Sequence, residues 1–203
     1  MKKQSKILVF YVSNHSDSFV KAISETYYNI LEENGFDIFD IELINLYDIK
    51  FDPVLKQRTG DIHKPEEDVV NIRNKISDSF HIVFVFPLWW GGMPALLKGF
   101  FDRVFVSGFA FKYDNSLKGW KPLLLGKTSS VFVTMDTPMW YYRYVFKRPV
   151  YNQLKKTILE FCGVKVIDFK FFSVVKKSDL NIRKKWLKEV ENLAIDFVKK
   201  RYH

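Results

Sequence analysis

The chain has 203 residues, of which 47% are hydrophobic and 27% charged, and it carries a formal net charge of +9. That length suits one domain with a real core. No apolar run reaches the roughly 18 residues that a membrane span needs, and a single cysteine, Cys162, excludes an internal disulfide and fits a reducing compartment.

The N-terminus begins with lysines as a signal peptide does, but its apolar stretch is too short and no small-residue cleavage site follows. It reads as a first strand over residues 6–12 (KILVFYV), and the expected compartment is the cytoplasm. Phe19, Ile23, Tyr27, Ile30 and Leu31 then recur at helical spacing, with Ser18 as N-cap and Gly35 past the end. Residues 37–43 (DIFDIEL) alternate polar and apolar, as a strand near a sheet edge does. An irregular stretch over 45–65 holds Pro53, Gly60 and Pro65. A helix is expected over 66–77, then the most apolar strand over 81–86 (HIVFVF). Pro94 opens a helix over 94–104, a favoured place for proline. Residues 106–126 read as loop, and 128–134 (TSSVFVT) as the fourth strand.

A helix over 149–162 places Val150, Leu154, Ile158 and Phe161 on one face and stops at Gly163. The fifth strand spans 164–175. A closing helix over 179–202 carries Ile182, Trp186, Val190, Leu193 and Phe197 as its apolar stripe. Strands alternating with helices imply a parallel sheet covered on both faces, hence one α/β domain over 1–203.

The positive charge gathers in Lys176-Lys177, Arg183-Lys184-Lys185 and Lys199-Lys200-Arg201. These read mostly as the solvated face and carboxyl end of a terminal helix, with a part in attracting a phosphorylated cosubstrate left open. The aromatics do not interleave with a basic stripe, so nucleic acid is not an expected partner. His15, His63, His81 and His203 lack metal-ligand spacing, and no metal site is assigned. Cys162, at the end of a helical pattern, reads as a buried structural thiol.

Three loops at strand ends carry chemistry, and in an open α/β sheet ligands bind at the carboxyl ends of strands. The first, Ser13 to Phe19, enters a helix N-terminus, a ready phosphate site; Asp17 and Ser18 read either as phosphate contacts or as helix caps. It is neither a Walker loop nor GxGxxG. The second, Pro87-Leu88-Trp89-Trp90-Gly91-Gly92, combines indole surface with bare backbone amides. The third, Thr134 to Tyr144, holds four aromatics in five residues and reads as an active-site lid and interface.

The second loop begins a longer signature. Pro87-Leu88-x-Trp90, Pro94-Ala95-x-x-Lys98-Gly99-x-x-Asp102-Arg103-Val104 and Gly108-Phe109-Ala110-Phe111 follow in turn. This pattern closely resembles that of the flavin-dependent NAD(P)H:quinone oxidoreductases, a flavodoxin-like family. The likeness spans nearly the whole chain and is also strong over 159–164 (LEFCGV).

It implies a three-layer flavodoxin-like fold with a five-stranded parallel sheet in order 2-1-3-4-5. It further implies a ping-pong oxidoreductase with NAD(P)H as cosubstrate and a quinone-like acceptor. FMN is the expected cofactor and FAD the alternative, because the long C-terminal extension of the vertebrate-type enzymes is missing.

Asp17, Ser18 and Phe19 keep the core of the family's phosphate loop, while its leading histidine falls at Ser13 and its asparagine at Val20. His15 or Ser16 then stand as replacements. Pro87, Leu88, Trp89, Trp90 and Gly91 would wall an isoalloxazine ring. Thr134 matches the second threonine of a Thr-Thr-Gly-Gly turn whose glycines are replaced by Met135 and Asp136, and these three would line the ring's polar edge. Tyr141 matches the substrate-side tyrosine and is the expected catalytic residue, a hydrogen-bond donor that stays neutral. Lys147 stands near the place of the vertebrate histidine.

The excess of large aromatics, 17% of residues and including Trp140, Tyr141, Tyr142 and Tyr144 of the third loop, predicts a homodimer with the flavin near its interface. Two other readings stay open. One is a flavodoxin-type electron carrier, a class that is usually acidic. The other is an ancillary regulatory subunit of a membrane transporter, as in the potassium-efflux relatives, with a peripheral membrane partner.

Overall fold

The computed structural model of the protein describes residues 5–35, 39–56, 65–114 and 119–202. Its strands are β1 (Ser5–Tyr11), β2 (Phe39–Asn45) and β3 (Ser79–Pro87), then the short β4 (Phe111–Asp114) and β5 (Gly119–Pro122), then β6 (Thr128–Met135) and β7 (Lys165–Ser173). Five of them form one sheet in the order β2-β1-β3-β6-β7, every pair parallel. With β4 and β5 set aside this is the expected 2-1-3-4-5. Gly60, His63 and His203 lie outside the described residues, as does the expected start of β2 at residue 37.

The continuous apolar run of β1 follows from burial on both faces. Leu8 and Phe10 point into one core with Phe84, Phe100 and Leu154, while Ile7 and Val9 point into the other with Tyr27, Phe132 and Val190. Helices α1 (Phe19–Gly35), α2 (Glu67–Asp78), α3 (Ala95–Val104), α4 (Met139–Tyr144) and α5 (Leu180–Tyr202) complete the layers. α1 and α5 pack together over one face. On the other face α3 comes close to Pro53 at Gly99, where a Cβ would lie 2.4 Å from the proline Cβ and 2.5 Å from its carbonyl oxygen. Among the described residues no helix is long and apolar enough to cross a membrane.

Three expectations need correction. Residues 106–126 are not all loop, because β4 and β5 pair as an antiparallel hairpin. Strands of four residues are too short to show a period, and this pair is held by Trp120, whose ring stacks 4.7 Å from Phe161 and whose indole N–H donates to the Phe161 carbonyl. The helix after residue 149 becomes a π-helical segment, Tyr151–Leu159. Its i→i−5 bonds, such as Glu160 N–H to the Lys155 carbonyl at 2.9 Å, widen the turn beyond that of an α-helix and shift the inward face. Leu154 is therefore followed inside by Leu159, and Cys162 is buried after it, while Ile158 and Phe161 are only partly buried. In α5 Val190 is inside as expected, but Ala194 and Val198 join it, and Ile182 is exposed. Pro94 caps α3 one residue before it begins.

Candidate functional site

The chain leaves β1 toward β2 on one side and crosses back to β3 on the other, which opens a crevice at the carboxyl ends of β1 and β3. A cavity of about 230 Å³ lies there. Val12 and Ser13 line it after β1, Ser18, Phe19 and Val20 at the start of α1, Pro87 and Trp89 at the end of β3, Thr134 in β6 and Val175 after β7. A second cavity of about 350 Å³ adjoins it, sharing Ser13, Asn14, His15 and Tyr47 and reaching Tyr11, Lys21 and Asn45. Burial pushes the Tyr11 phenol above its ordinary range, which keeps it a neutral donor.

The first loop is held from within and from β2. Ser18 caps α1 by accepting the Lys21 N–H at 3.1 Å, and the Ser13 hydroxyl donates to Ser18 Oγ at 2.6 Å. Asn45, at the end of β2, donates from Nδ2 to the Ser13 carbonyl at 2.8 Å and accepts the Tyr47 N–H at 3.3 Å. The first-turn N–H groups of Phe19 and Val20 have no intrahelical partner, and both residues line the cavity. Asp17 does not: it is exposed, accepts the Ser16 hydroxyl at 2.9 Å, and lines neither cavity.

In the second loop Trp89 and Gly92 exchange two backbone hydrogen bonds, at 3.1 and 2.8 Å. The two residues between them are left-handed, Trp90 at φ 52° and Gly91 at φ 71°, the pattern of a tight hairpin turn. Glycine takes that conformation freely, whereas for tryptophan it is strained. Trp89 walls the cavity, but Trp90 stands fully in solvent, at 105% relative exposure. Leu88 packs on the core below and its N–H donates to the Thr134 carbonyl at 2.7 Å, so it joins two loops without lining either cavity. Among the described residues the N–H groups of Trp90 and Gly91 have no internal partner.

The third loop contributes less than expected. Thr134 lines the cavity, but the Met135 side chain is buried away from it. Asp136 is exposed and accepts the Lys176 N–H at 2.6 Å, which ties this loop to the one after β7. Tyr141, in α4, lines neither cavity and is 37% exposed, with its ring edge-on to Trp140 and Phe146. The lid rests on the second loop, since a Cβ at Gly91 would lie 3.8 Å from Phe146 Cδ2. Tyr142 anchors it from below, fully buried, with its hydroxyl accepting the Val150 N–H at 3.0 Å.

Sequence reasoning passed over Asn45, Tyr47 and Val175, because their roles depend on strands that meet only in the folded sheet. It also placed Arg183 on the solvated face. In the fold the Arg183 Nε donates to Ser178 Oγ at 2.9 Å, and the guanidinium lies 5.8 Å from the center of the Phe19 ring. Cys162 is buried as expected, and burial pushes its thiol up to about 12, so it is no nucleophile.

The crevice thus sets a helix N-terminus with free N–H donors, chemistry that suits an anion, beside an apolar wall. A family model described as a flavodoxin-like fold matches residues 5–193. The chain is 30% identical over 183 residues to an NAD(P)H oxidoreductase of Haemophilus influenzae, covering 88% of each. It is 29% identical over 189 residues to the ribosyldihydronicotinamide dehydrogenase (quinone) of Pongo abelii, covering 80% of this chain and 78% of that one. An FMN-dependent NADH-azoreductase of Bacillus anthracis, solved in complex with FMN, matches with a TM-score of 0.74 at 19% identity, over 96% of this chain and 100% of that one.

Proposed function

The chain belongs to the flavodoxin-like fold family, and on that premise we propose that it is a flavin-dependent NAD(P)H oxidoreductase acting on quinones or similar acceptors, with FMN as its cofactor. The observation that carries this reading is the cavity at the reversal of strand order, where Phe19 and Val20 bring unpartnered N–H groups beside a wall of Pro87, Trp89 and Val175. That donor set fits the group: a phosphate suits the helix N-terminus and a planar ring suits the apolar wall. A flavin bound there would supply reversible two-electron chemistry between NAD(P)H and the acceptor.

The residues of the chain bind, orient and stabilize. Ser18 with the N–H groups of Phe19 and Val20 holds the phosphate. Pro87 and Trp89 flank the ring, and Thr134 offers its hydroxyl at the polar edge. The N–H groups of Trp90 and Gly91 stand ready for negative charge that develops beside them, and fixed donors of this kind need no reorganization when charge appears. Leu88, Met135 and Asp136 act through backbone and packing, and Asp17 through its place in the loop. Tyr141 contributes from the lid, on the acceptor side.

The same reading includes a single flavin-binding domain, a cytoplasmic location and a homodimer. Trp90, Trp140, Tyr144, Val145 and Phe146 are all exposed, and apolar surface of this kind supports an interface. Light scattering is expected to give the mass of two chains. The protein is expected to purify yellow, to release FMN on acid treatment, and to oxidize NAD(P)H in the presence of a soluble quinone. Failure to bind any flavin overturns the reading.

A further inference from the structure

We propose that the turn carrying Lys147 and Arg148 binds the 2′-phosphate of the cosubstrate and makes the protein select NADPH over NADH; this rests on the oxidoreductase reading above.

Charge is the first observation. Between Asp136 and Glu160 the sequence has no acidic residue and five cations: Arg143, Lys147, Arg148, Lys155 and Lys156. Lys155 reaches Glu160 at 3.7 Å. Arg143, Lys147 and Arg148 have no carboxylate partner among the described residues. The two guanidiniums rest instead on aromatic rings, Arg143 at 5.5 Å from the center of Tyr144 and Arg148 at 5.0 Å from that of Tyr151. Cations held this way keep their hydrogen-bonding forks available to an anion.

Backbone geometry is the second. Lys147 and Arg148 are consecutive left-handed residues, at φ 59° and 53°, and neither is a glycine. The conformation is imposed by their surroundings. The Arg148 N–H donates to the Tyr142 carbonyl at 3.1 Å, the Asn152 N–H donates to the Arg148 carbonyl at 3.1 Å, and Asn152 Nδ2 donates to the Lys147 carbonyl at 2.9 Å. Glycine or asparagine would satisfy this turn with less strain. Among the described residues the one fold contact of these two side chains is that of Arg148 with the Tyr151 ring, and backbone strain of this kind collects where a side chain must be presented in a set place.

Position is the third. Phe146, the residue before the turn, packs over Gly91, and Trp89 of that same loop walls the cavity. Lys147 and Arg148 follow directly on this contact between lid and ring wall, outside the lining of the cavity itself. A dinucleotide with its nicotinamide against the ring proposed for the cavity extends its adenylate arm outward past that wall. A phosphate monoester carries about −1.5 to −2 near pH 7, and arginine forks pair with it in two parallel bonds. An arginine beside the ribose is also how other dinucleotide sites accommodate the 2′-phosphate. NADH has a hydroxyl there and gains nothing from the pair. A diffuse positive field would instead favor both cosubstrates alike, because both carry a pyrophosphate.

The test uses the flavin-loaded protein with a soluble quinone at low ionic strength, comparing kcat/KM for NADPH and NADH. The wild type is expected to favor NADPH by about tenfold or more, the worth of one charged hydrogen bond. The variant Lys147→Asn/Arg148→Asn, whose asparagines tolerate the left-handed backbone, should lower the NADPH value by about 10- to 100-fold and move the NADH value by less than about threefold. Arg148→Lys alone should retain part of the preference. Calorimetry gives a readout apart from turnover: 2′,5′-ADP should bind the wild type more tightly than 5′-ADP, and the double variant should bind them equally. Equal use of the two cosubstrates by a flavin-loaded wild type, or equal loss of both in the variant, overturns the proposal while leaving the oxidoreductase reading intact. A protein that binds no flavin and oxidizes neither overturns both.

Discussion

At the amino end of the parallel sheet, His81 is fully buried with Nδ1 2.8 Å from Thr128 Oγ1, Nε2 3.4 Å from the Tyr27 hydroxyl, and its ring 4.2 Å from that of Phe197. Lys127 closes the same end by donating to the carbonyls of Ser77 and Ser79. At the carboxyl end the loops are tied to one another, Asn45 to Ser13, Leu88 to Thr134 and Asp136 to Lys176. They nevertheless leave N–H donors free and aromatic rings in solvent. One end satisfies most of its polar groups internally, with the buried Ser129 hydroxyl as an exception. The other fixes the positions of groups that it leaves unsatisfied, which is what preorganization for a ligand requires.

The closed end should give the largest effects. His81→Ala removes a buried ring and strips partners from Thr128 and Tyr27, so urea unfolding should show a loss of about 3 kcal/mol or more while FMN affinity of the folded protein stays the same. Acid should act through the same residue. Burial pulls the His81 pKa down to about 3, below the roughly 6.5 of an unfolded chain. Protons therefore favor the unfolded state below that value. The stability that depends on a neutral His81 is complete above about pH 6.5 and drains as pH falls toward 3, by up to about 1.4 kcal/mol per unit. His81→Gln should flatten that slope, and an unchanged slope would break the comparison.

At the open end, smaller losses of stability should come with losses of binding. Asn45→Ala frees the Ser13 loop and should cost about 1–2 kcal/mol in unfolding. FMN affinity, measured by calorimetry, should fall about tenfold because the loop must then be ordered on binding. Ser18→Ala removes a cap worth about 1 kcal/mol and should weaken FMN by less than Asn45→Ala does. If either change altered stability alone, the carboxyl-end loops would be structural only.

Tyr141→Phe should have the smallest effect. A donor aimed at developing charge is worth about 10²–10³ in rate, but Tyr141 lies off both cavities and its hydroxyl has no partner among the described residues. Stopped-flow reduction by NAD(P)H should slow by less than about tenfold with flavin retained. A loss beyond a hundredfold would move the lid over the site, and no change at all would leave Tyr141 as packing for Phe146.

Much of this was legible in the chain itself. The unbroken apolar runs of β1 and β3 required cover on both faces, and the alternation in β2 placed it at an edge, where it lies. Ser18 marked the start of α1, and the residues from Pro87 to Gly92 marked a turn at a strand end, where Pro87 and Trp89 line the cavity. All of these are local signals, carried by periodicity, capping chemistry or a short string of residue types. What only the tertiary structure decided involves partners far apart in sequence. Asn45 clamps Ser13 across 32 residues, Arg183 settles over Phe19, and Trp120 pins a hairpin to Phe161. The shift to i→i−5 bonding turns Leu159 inward where a helical period had chosen Ile158. Trp90 and Tyr141 matched a signature by type, yet a left-handed turn and a contact with Phe146 set where they stand. A sequence pattern records which face of its own element a residue occupies. Which distant group meets that face depends on how the elements pack, and that is settled only when the whole core closes.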